Sequence, residues 1–280
     1  MIEPQEAWNS VADAWQRWWP TFEASAQIVS DRLVSLAGIR PGSHVLDFGT
    51  GIGEPALTAA KVVGPTGSVL GVDMASRMVE HARERAESLG LANAEFVVCD
   101  AAELDAERLG RPDGFDAAVS RWGLMLAPDP VDTARRIRGL MAPGALFAAA
   151  VWASAAEVPF IALVRTVVGE FVDLPPTDPD APGPFRLGTP DALRTVLVDA
   201  GYQQVEIEDV EACFVFDSGE HYTKFSSELS SSLRLLLAEA TEATASKILS
   251  AIAARAEDFR EGDKIVLHNR ALCARAVSKS

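Results

Sequence analysis

The sequence predicts an α/β fold built on a doubly wound, mostly parallel sheet. Three observations carry that expectation. Short apolar runs alternate with amphipathic helical stretches from residue 43 to residue 152, the pattern of a sheet with helices on both faces. Those runs are apolar almost continuously, as in strands covered on both sides. A glycine-rich loop follows the first run and opens a helix, the place where open α/β sheets bind ligands.

Residues 6–36 read as helical, because Trp8, Val11, Trp15, Trp18, Trp19 and Phe22 recur at helical spacing and give one apolar stripe. Pro20 lacks an N–H and is expected to break this stretch into two helices. Arg40-Pro41-Gly42 is a turn. A strand over 43–48 then leads to a helix over 54–63, with Pro55 in its first turn. After the Gly64-Pro65-Thr66-Gly67 turn come a strand over 68–73, a helix over 75–89 closed by Gly90, and a strand over 94–99. Asp113-Gly114 turns into a fourth strand over 115–120, followed by a helix over 132–141. Pro143-Gly144 is a turn before a fifth strand over 145–152.

The second half changes character. Residues 158–172 look helical. The stretch 174–190 carries Pro175, Pro176, Pro179, Pro182, Pro184 and Pro190, a linker or a functional lid. Thr189 caps a helix over 189–201, with Pro190 at its first position. Residues 204–216 alternate like a strand, 219–257 form a helical region of two helices, and 264–277 return to strand. No internal repeat is visible. The length of 280 residues is read as one sheet domain with helical insertions rather than two independent domains.

Composition narrows the partners. The chain is 48% hydrophobic and 23% charged, ordinary for a globular protein, which excludes wholesale disorder and small disulfide scaffolds. Lys and Arg number 25 against 40 Asp and Glu, a formal charge of −15. A nucleic-acid partner needs clustered positive charge, and no Lys/Arg run is present, so a small-molecule partner is expected instead. Cys99, Cys213 and Cys273 are widely spaced and form no CxxC, so neither a disulfide framework nor a zinc site is indicated, and a reducing cytoplasm is the expected compartment. The acidic N-terminus has no signal-peptide pattern. No apolar run reaches membrane-spanning length; the longest, around 145–156, reads as a buried strand.

The chemistry concentrates in Val45-Leu46-Asp47-Phe48-Gly49-Thr50-Gly51-Ile52-Gly53. Glycines let the chain turn sharply and let a ligand lie against bare backbone. Gly51-Ile52-Gly53-Glu54-Pro55-Ala56 also satisfies the dinucleotide fingerprint G-x-G-x-x-A. Against that reading, Asp47 precedes the glycines where a pyrophosphate would be repelled, and Glu54 adds a second negative charge. Both suit a cationic ligand bearing an amine. Asp73 closes the second strand 20 residues beyond Gly53, the usual place for a carboxylate that grips a ribose diol. Asp100 closes the third, where it could accept a hydrogen bond from an adenine amino group. One such aspartate alone is more often a turn or cap residue; three at the ends of successive strands, with the glycine loop, rarely coincide.

With these residues in view, the chain resembles a class I S-adenosylmethionine-dependent methyltransferase. The match covers roughly residues 43–152: D-x-G-x-G-x-G at 47–53, Asp73 in Val-Leu-Gly-Val-Asp-Met, Asp100, and the Met141-Ala142-Pro143-Gly144 turn. The stretch from Ser120 to Pro130 is similar to the segment after strand four in the ubiquinone/menaquinone C-methyltransferase-like branch, which includes many natural-product enzymes of secondary metabolism. The resemblance implies a seven-stranded Rossmann-like sheet whose last strand is antiparallel, the segments 204–216 and 264–277 supplying the final two. It implies that Asp47, Gly49, Thr50, Gly51 and Gly53 contact the methionine end of the cofactor. Asp73 would hold the ribose, Met74 would pack on adenine, and Asp100 and the Ala101 N–H would reach the adenine edge. Arg121 and Trp122 would line the methionine end and the substrate entrance. Residues 1–40 would be an N-terminal helical lid, with Trp8, Trp15, Trp18 and Trp19 as lining residues, and 41–280 the cofactor-binding domain, with helical insertions at about 156–188 and 219–260 over the site.

Methyl transfer is an in-line displacement in which orientation and exclusion of water do most of the work. No general base is evident; His221 and His268 are weak candidates, and His44 and His81 precede a strand and sit on a presumed surface helix. No metal-ligand spacing stands out. The expectation is therefore methyl transfer from S-adenosylmethionine to a small, largely apolar molecule with an O, N or C acceptor, by a monomer or homodimer. The rivals are a nucleic-acid or protein methyltransferase of the same fold, an NAD-dependent oxidoreductase, and a cofactor-binding protein without transfer activity, such as a cyclase. Ser120-Arg121-Trp122-Gly123 stands where many amino-methylating enzymes carry N/D-P-P-Y, which weighs against the first.

Overall fold

Helix α1, Pro4–Leu36, runs unbroken through Pro20. A computed structural model describes residues 3–107, 109, 111, 113–174, 176 and 178–279, so the expected loop proline Pro175 and the N-terminal Met1 and Ile2 lie outside the described residues. The expected break at Pro20 does not occur, and the energetics show why. A proline inside a helix costs about 3 kcal/mol. Pro20 sits on the exposed side. On the opposite side Val11, Phe22, Val29 and Leu33 are buried, each contributing about 1.5–3 kcal/mol. Burial on both sides of the proline outweighs the lost hydrogen bond.

The alternating half then follows. It comprises β1 His44–Phe48, α2 Ala56–Val63, β2 Ser68–Asp73, α3 Ser76–Ser88, β3 Ala94–Val98, β4 Phe115–Arg121, α4 Pro130–Gly139 and β5 Met141–Trp152. Pro55 stands just before α2, as its N-cap, rather than inside the first turn. Strand β5 begins earlier than the sequence predicts. The β4–β5 register jumps from Phe115↔Met141 to Ala117↔Leu146, so Pro143-Gly144 forms an irregularity within the pairing and not a turn before it.

The second half contains α5 Pro159–Val168, α6 Pro190–Asp199, β6 Gln203–Phe216, α7 Gly219–Leu229, α8 Ser231–Glu239, α9 Glu242–Ala256, β7 Arg260–Glu261 and β8 Lys264–Val277. The Thr189 hydroxyl accepts the Ala192 N–H, as its N-cap position requires. Three helices occupy 219–256 where two are expected. Ser230 and Thr241 each cap a new start, accepting the N–H of Leu233 and Thr244. Both were visible as N-cap residue types inside a long periodic stretch.

The sheet order is β3-β2-β1-β4-β5-β8-β6, with β7 paired to β8. The first five strands are parallel, and β8 runs antiparallel between β5 and β6. The seven-stranded expectation holds for the main path; the two-residue β7 makes an eighth strand that its length hides from any periodicity argument. Sequential strands step one way to β3 and then the other way through β4, so the order reverses between β1 and β4, which creates the crevice at the C-terminal ends of these strands. No helix among the described residues is long and apolar enough to cross a membrane.

Candidate cofactor and active site

The loop after β1 is shaped by two glycines with different duties. Gly49 and Thr50 both donate their N–H to the Val72 carbonyl, at 2.9 and 3.0 Å, which folds the loop over the end of β2. Gly49 has φ +69°, and a Cβ there would stand 3.0 Å from the Gly123 Cα, so the chains leaving β1 and β4 touch backbone to backbone. Gly51 has φ +54°, and a Cβ there would meet nothing within 4 Å. Conformation demands glycine at both positions; at Gly51 the space beyond is also clear for a ligand.

Asp73, at the end of β2, holds this loop. Its Oδ2 accepts the Gly51 N–H at 2.9 Å and its Oδ1 accepts the Ala75 N–H at 2.9 Å. Burial raises its pKa, and these two N–H groups oppose the rise. A carboxylate offers about four lone-pair positions, so two remain for a vicinal diol. Asp47 lies fully buried beneath the loop, with Oδ2 accepting the Ala56 N–H at 3.0 Å. Burial pushes its carboxyl up to about 7, and the neighbouring Thr50 hydroxyl and the Ala56 N–H offset only part of that. Asp100 is half-buried and caps the 3-10 turn Ala101–Glu103, accepting the Ala102 N–H at 2.9 Å, while the Glu103 carboxylate accepts the Asp100 N–H. Met74 is half-buried between Asp73 and Ala75.

Glu54 departs from expectation. It is buried and turned into α2, where Oε2 accepts the Thr58 N–H and hydroxyl at 3.1 and 2.6 Å. Arg85 lies 3.6 Å from its other oxygen. Its charge is matched within the protein rather than presented to a ligand.

Helix α1 crosses above the loop. Val11 and Ala12 pack with Ile52, Ala75 and Met78, flanked by Trp8, Trp15 and Trp19. Arg121, at the end of β4, reaches up to α1, where Nη1 and Nη2 each lie 3.0 Å from a Glu23 oxygen and Nη1 donates to Ser30 Oγ at 2.7 Å. The Arg121 guanidinium thus ties β4 to α1 instead of standing free at the methionine end. Burial raises the Glu23 pKa, and Arg121 opposes the rise. Arg85 stacks 4.2 Å above the Trp19 ring and donates to the Ile52 carbonyl at 2.6 Å, gripping the glycine loop from the other side. His81, expected on a surface helix, is buried, with Nε2 2.8 Å from Asp13 of α1 and Nδ1 2.9 Å from Glu84. The sequence reading missed Glu23 and Arg85; the signal for Glu23 was a charge set one turn after Trp19, beside the apolar stripe.

Aromatic rings line the region beyond. Trp122, in a left-handed conformation at φ +62°, stacks on Trp152 at 4.3 Å and meets the edge of Phe22 at 5.5 Å. Phe160 and Phe214 stack at 4.1 Å next to it. Trp18 donates to Glu228 of α7 at 2.8 Å. Asp47 Oδ1, Thr50 Oγ, Ser120 Oγ, Trp15 Nε1 and Trp122 Nε1 are buried without a well-formed hydrogen bond. Buried polar atoms of this kind are rare unless a ligand or water serves them. Their mix of acceptors and donors fits an amino-acid end bearing both an ammonium and a carboxylate, which is what the cofactor expected from the sequence carries. His221 lies at the start of α7, 3.3 Å from Asp217, its ring 5.5 Å from that of Trp18. His268 is exposed on β8, bonded to Glu211 and Glu261. Neither histidine joins the glycine loop.

Comparison with known proteins points to the same class of fold. Residues 39–171 match the family described as "Methyltransferase domain". The chain is 35% identical over 113 residues to the ubiquinone/menaquinone biosynthesis C-methyltransferase UbiE of Ectopseudomonas mendocina (strain ymp), covering 40% of this chain and 42% of that protein. It therefore spans less than half the length of that curated relative. Among solved structures, a SAM-dependent methyltransferase from Aquifex aeolicus superposes with a TM-score of 0.52 at 16% identity, covering 91% of this chain and 93% of that one. The cyclase SpnF superposes with a TM-score of 0.55 at 16% identity, covering 97% and 96%. Family match, relatives and fold point the same way: residues 39–171 match the methyltransferase-domain family, and the chain shares its Rossmann-like fold with an S-adenosylmethionine-dependent methyltransferase.

Proposed function

We propose that this chain transfers the methyl group of S-adenosylmethionine to a small, largely apolar organic acceptor. One observation carries the reading: Asp73 accepts the N–H of Gly51, the glycine with open space before it, so diol acceptor and backbone cradle form one unit. When bound, the cofactor supplies an electrophilic methyl on a sulfonium. Asp73 holds the ribose through its two remaining lone-pair positions, with Met74 against the adenine and Asp100 and the Ala101 N–H at its edge. Asp47, Thr50 and the loop Gly49–Gly53 face the methionine end. Helix α1 is the lid, and Trp15, Trp19 and Trp122 exclude water and hold the acceptor. Rate comes from orientation and desolvation, since neither His221 nor His268 reaches the loop. Such a wall suits an already nucleophilic acceptor, such as an amine, an enolate or an easily ionised phenol. The curated relative is named for quinone biosynthesis, in keeping with an apolar ring as acceptor. A natural-product pathway in the cytoplasm, a monomeric or homodimeric enzyme and no nucleic-acid partner complete the reading, the last resting on the charge of −15.

Calorimetric titration with S-adenosylhomocysteine, alongside NADH, tests the cofactor. Micromolar binding of the first alone is expected, and binding of NADH alone would overturn it. Transfer of labelled methyl to a panel of phenols, quinols and amines then separates methyl transfer from a fold-sharing activity such as cyclisation.

A further inference from the structure

We propose that Glu211, Cys213 and His268 form a surface binding site for a borderline-soft divalent cation such as zinc. It lies apart from the cofactor loop and does not depend on the methyl-transfer reading. Three donor atoms of three kinds, a carboxylate oxygen, a thiol sulfur and an imidazole nitrogen, lie within 4.8 Å of one another. Cys213 Sγ is 3.2 Å from His268 Nδ1 and 3.2 Å from Glu211 Oε1. In a tetrahedral zinc site, bonds of about 2.3 Å to sulfur and about 2.0 Å to nitrogen place the donors about 3.5 Å apart. Cys213 Sγ thus stands close to the spacing a tetrahedral ion requires from both partners, while His268 Nδ1 and Glu211 Oε1 are hydrogen-bonded directly to each other and must part to admit the ion.

The scaffold explains why they meet. Glu211 and Cys213 are two residues apart on β6 and share a face. Cys213 pairs directly with His268 across the β6–β8 ladder. Two paired strands fix the backbone, so only side-chain torsions need adjust. The opposite ring nitrogen, His268 Nε2, lies 3.1 Å from Glu261 Oε1. A carboxylate on the far nitrogen of a ligating histidine fixes the tautomer and ring direction, the usual support for a metal-bound imidazole. Here it turns Nδ1 toward Cys213 and Glu211. The surroundings favour a cation: Glu211 and Glu261 face the ring, while Arg270, opposite Glu211 in the ladder, is ion-paired with Glu157 and Asp209. On binding, the Sγ proton leaves to solvent as the metal–sulfur bond forms, and the Nδ1 lone pair takes the ion in place of a proton. Thiolate with imidazole selects zinc or cobalt over magnesium or calcium. The half-exposed position leaves the fourth place to water.

The experiment uses the full chain, dialysed against a chelator and titrated with Co²⁺. One ion per chain is expected, with a thiolate-to-cobalt band in the near ultraviolet that one equivalent of Zn²⁺ abolishes. Cys213→Ser should remove the band, and Glu261→Gln should keep it while weakening affinity about tenfold. Both residues lie at the surface, and unchanged far-ultraviolet circular dichroism confirms that the variants fold. Affinity for S-adenosylhomocysteine should be the same in all three proteins, which separates this site from the cofactor site. Absence of the thiolate band in the wild type, or its survival in Cys213→Ser, would overturn the proposal.

Discussion

Arg121 and Glu23 meet as a two-pronged ion pair, Nη1 and Nη2 each 3.0 Å from a separate carboxylate oxygen, and so fasten the middle of α1 to the end of β4. The side chains are only 4% and 12% exposed, so the pair is shielded from the solvent that weakens surface salt bridges. Removing one partner strands the other charge in the interior, which costs about 3–5 kcal/mol. Glu23→Ala is expected to lower unfolding stability by about that amount in urea denaturation. The double replacement Glu23→Leu with Arg121→Met should recover most of it, because an apolar pair avoids the desolvation cost.

The two loop glycines separate folding from binding. Gly51→Ala pays about 1–2 kcal/mol for its left-handed backbone and nothing for contact, yet it places a methyl group where the ligand lies. The variant should fold and lose at least tenfold in S-adenosylhomocysteine affinity. Gly49→Ala adds a Cβ 3.0 Å from the Gly123 Cα, and backbone cannot swing aside as a side chain can. Its melting temperature should drop further than that of Gly51→Ala.

Asp47 sets a pH dependence of stability. Its carboxyl is pushed up to about 7 in the folded protein from 3.8. Below about pH 4 it is protonated in both states. Between about 4 and 7 the folded protein keeps a proton that the unfolded chain has released, so its contribution falls as pH rises, by up to about 1.4 kcal/mol per unit. Above about 7 the loss is complete. The stability difference between wild type and Asp47→Asn, followed by urea denaturation across this range, should trace that decline. An invariant difference would place the ionised form inside the fold.

Asp73→Ala removes the acceptor of two backbone N–H groups as well as the proposed ribose contact. Affinity for S-adenosylhomocysteine should fall at least a hundredfold, with a stability loss of about 2 kcal/mol from the orphaned donors. Asp73→Asn keeps one oxygen and should fall between. Unchanged affinity in Asp73→Ala would refute the ribose assignment.

Much of this protein was legible in one dimension because the relevant forces act over a few residues. Strand limits at 68–73 and 264–277 follow from apolar runs ended by turn residues, and the structure has β2 and β8 over those same residues. The Thr189 cap and the Asp47–Gly53 loop follow from local backbone chemistry in the same way. Pro20 marks the limit of such reasoning: locally it ends a helix, while α1 survives because residues on both sides of it are buried against parts of the chain far away in sequence. Glu54 and His81 were likewise misjudged, one read as suiting a cationic ligand and one as lying on the surface, because burial and partners came from Arg85 and from Asp13. Sequence alone determined the alternation of elements, the carboxylates at three strand ends and the family resemblance that implies the cofactor. Tertiary structure decided which charges are neutralised within the protein: Glu23 and Arg121 are 98 residues apart, and Cys213 and His268 are 55 apart. A charge's role depends on what the fold brings within a few ångströms of it, and no local pattern encodes that distance.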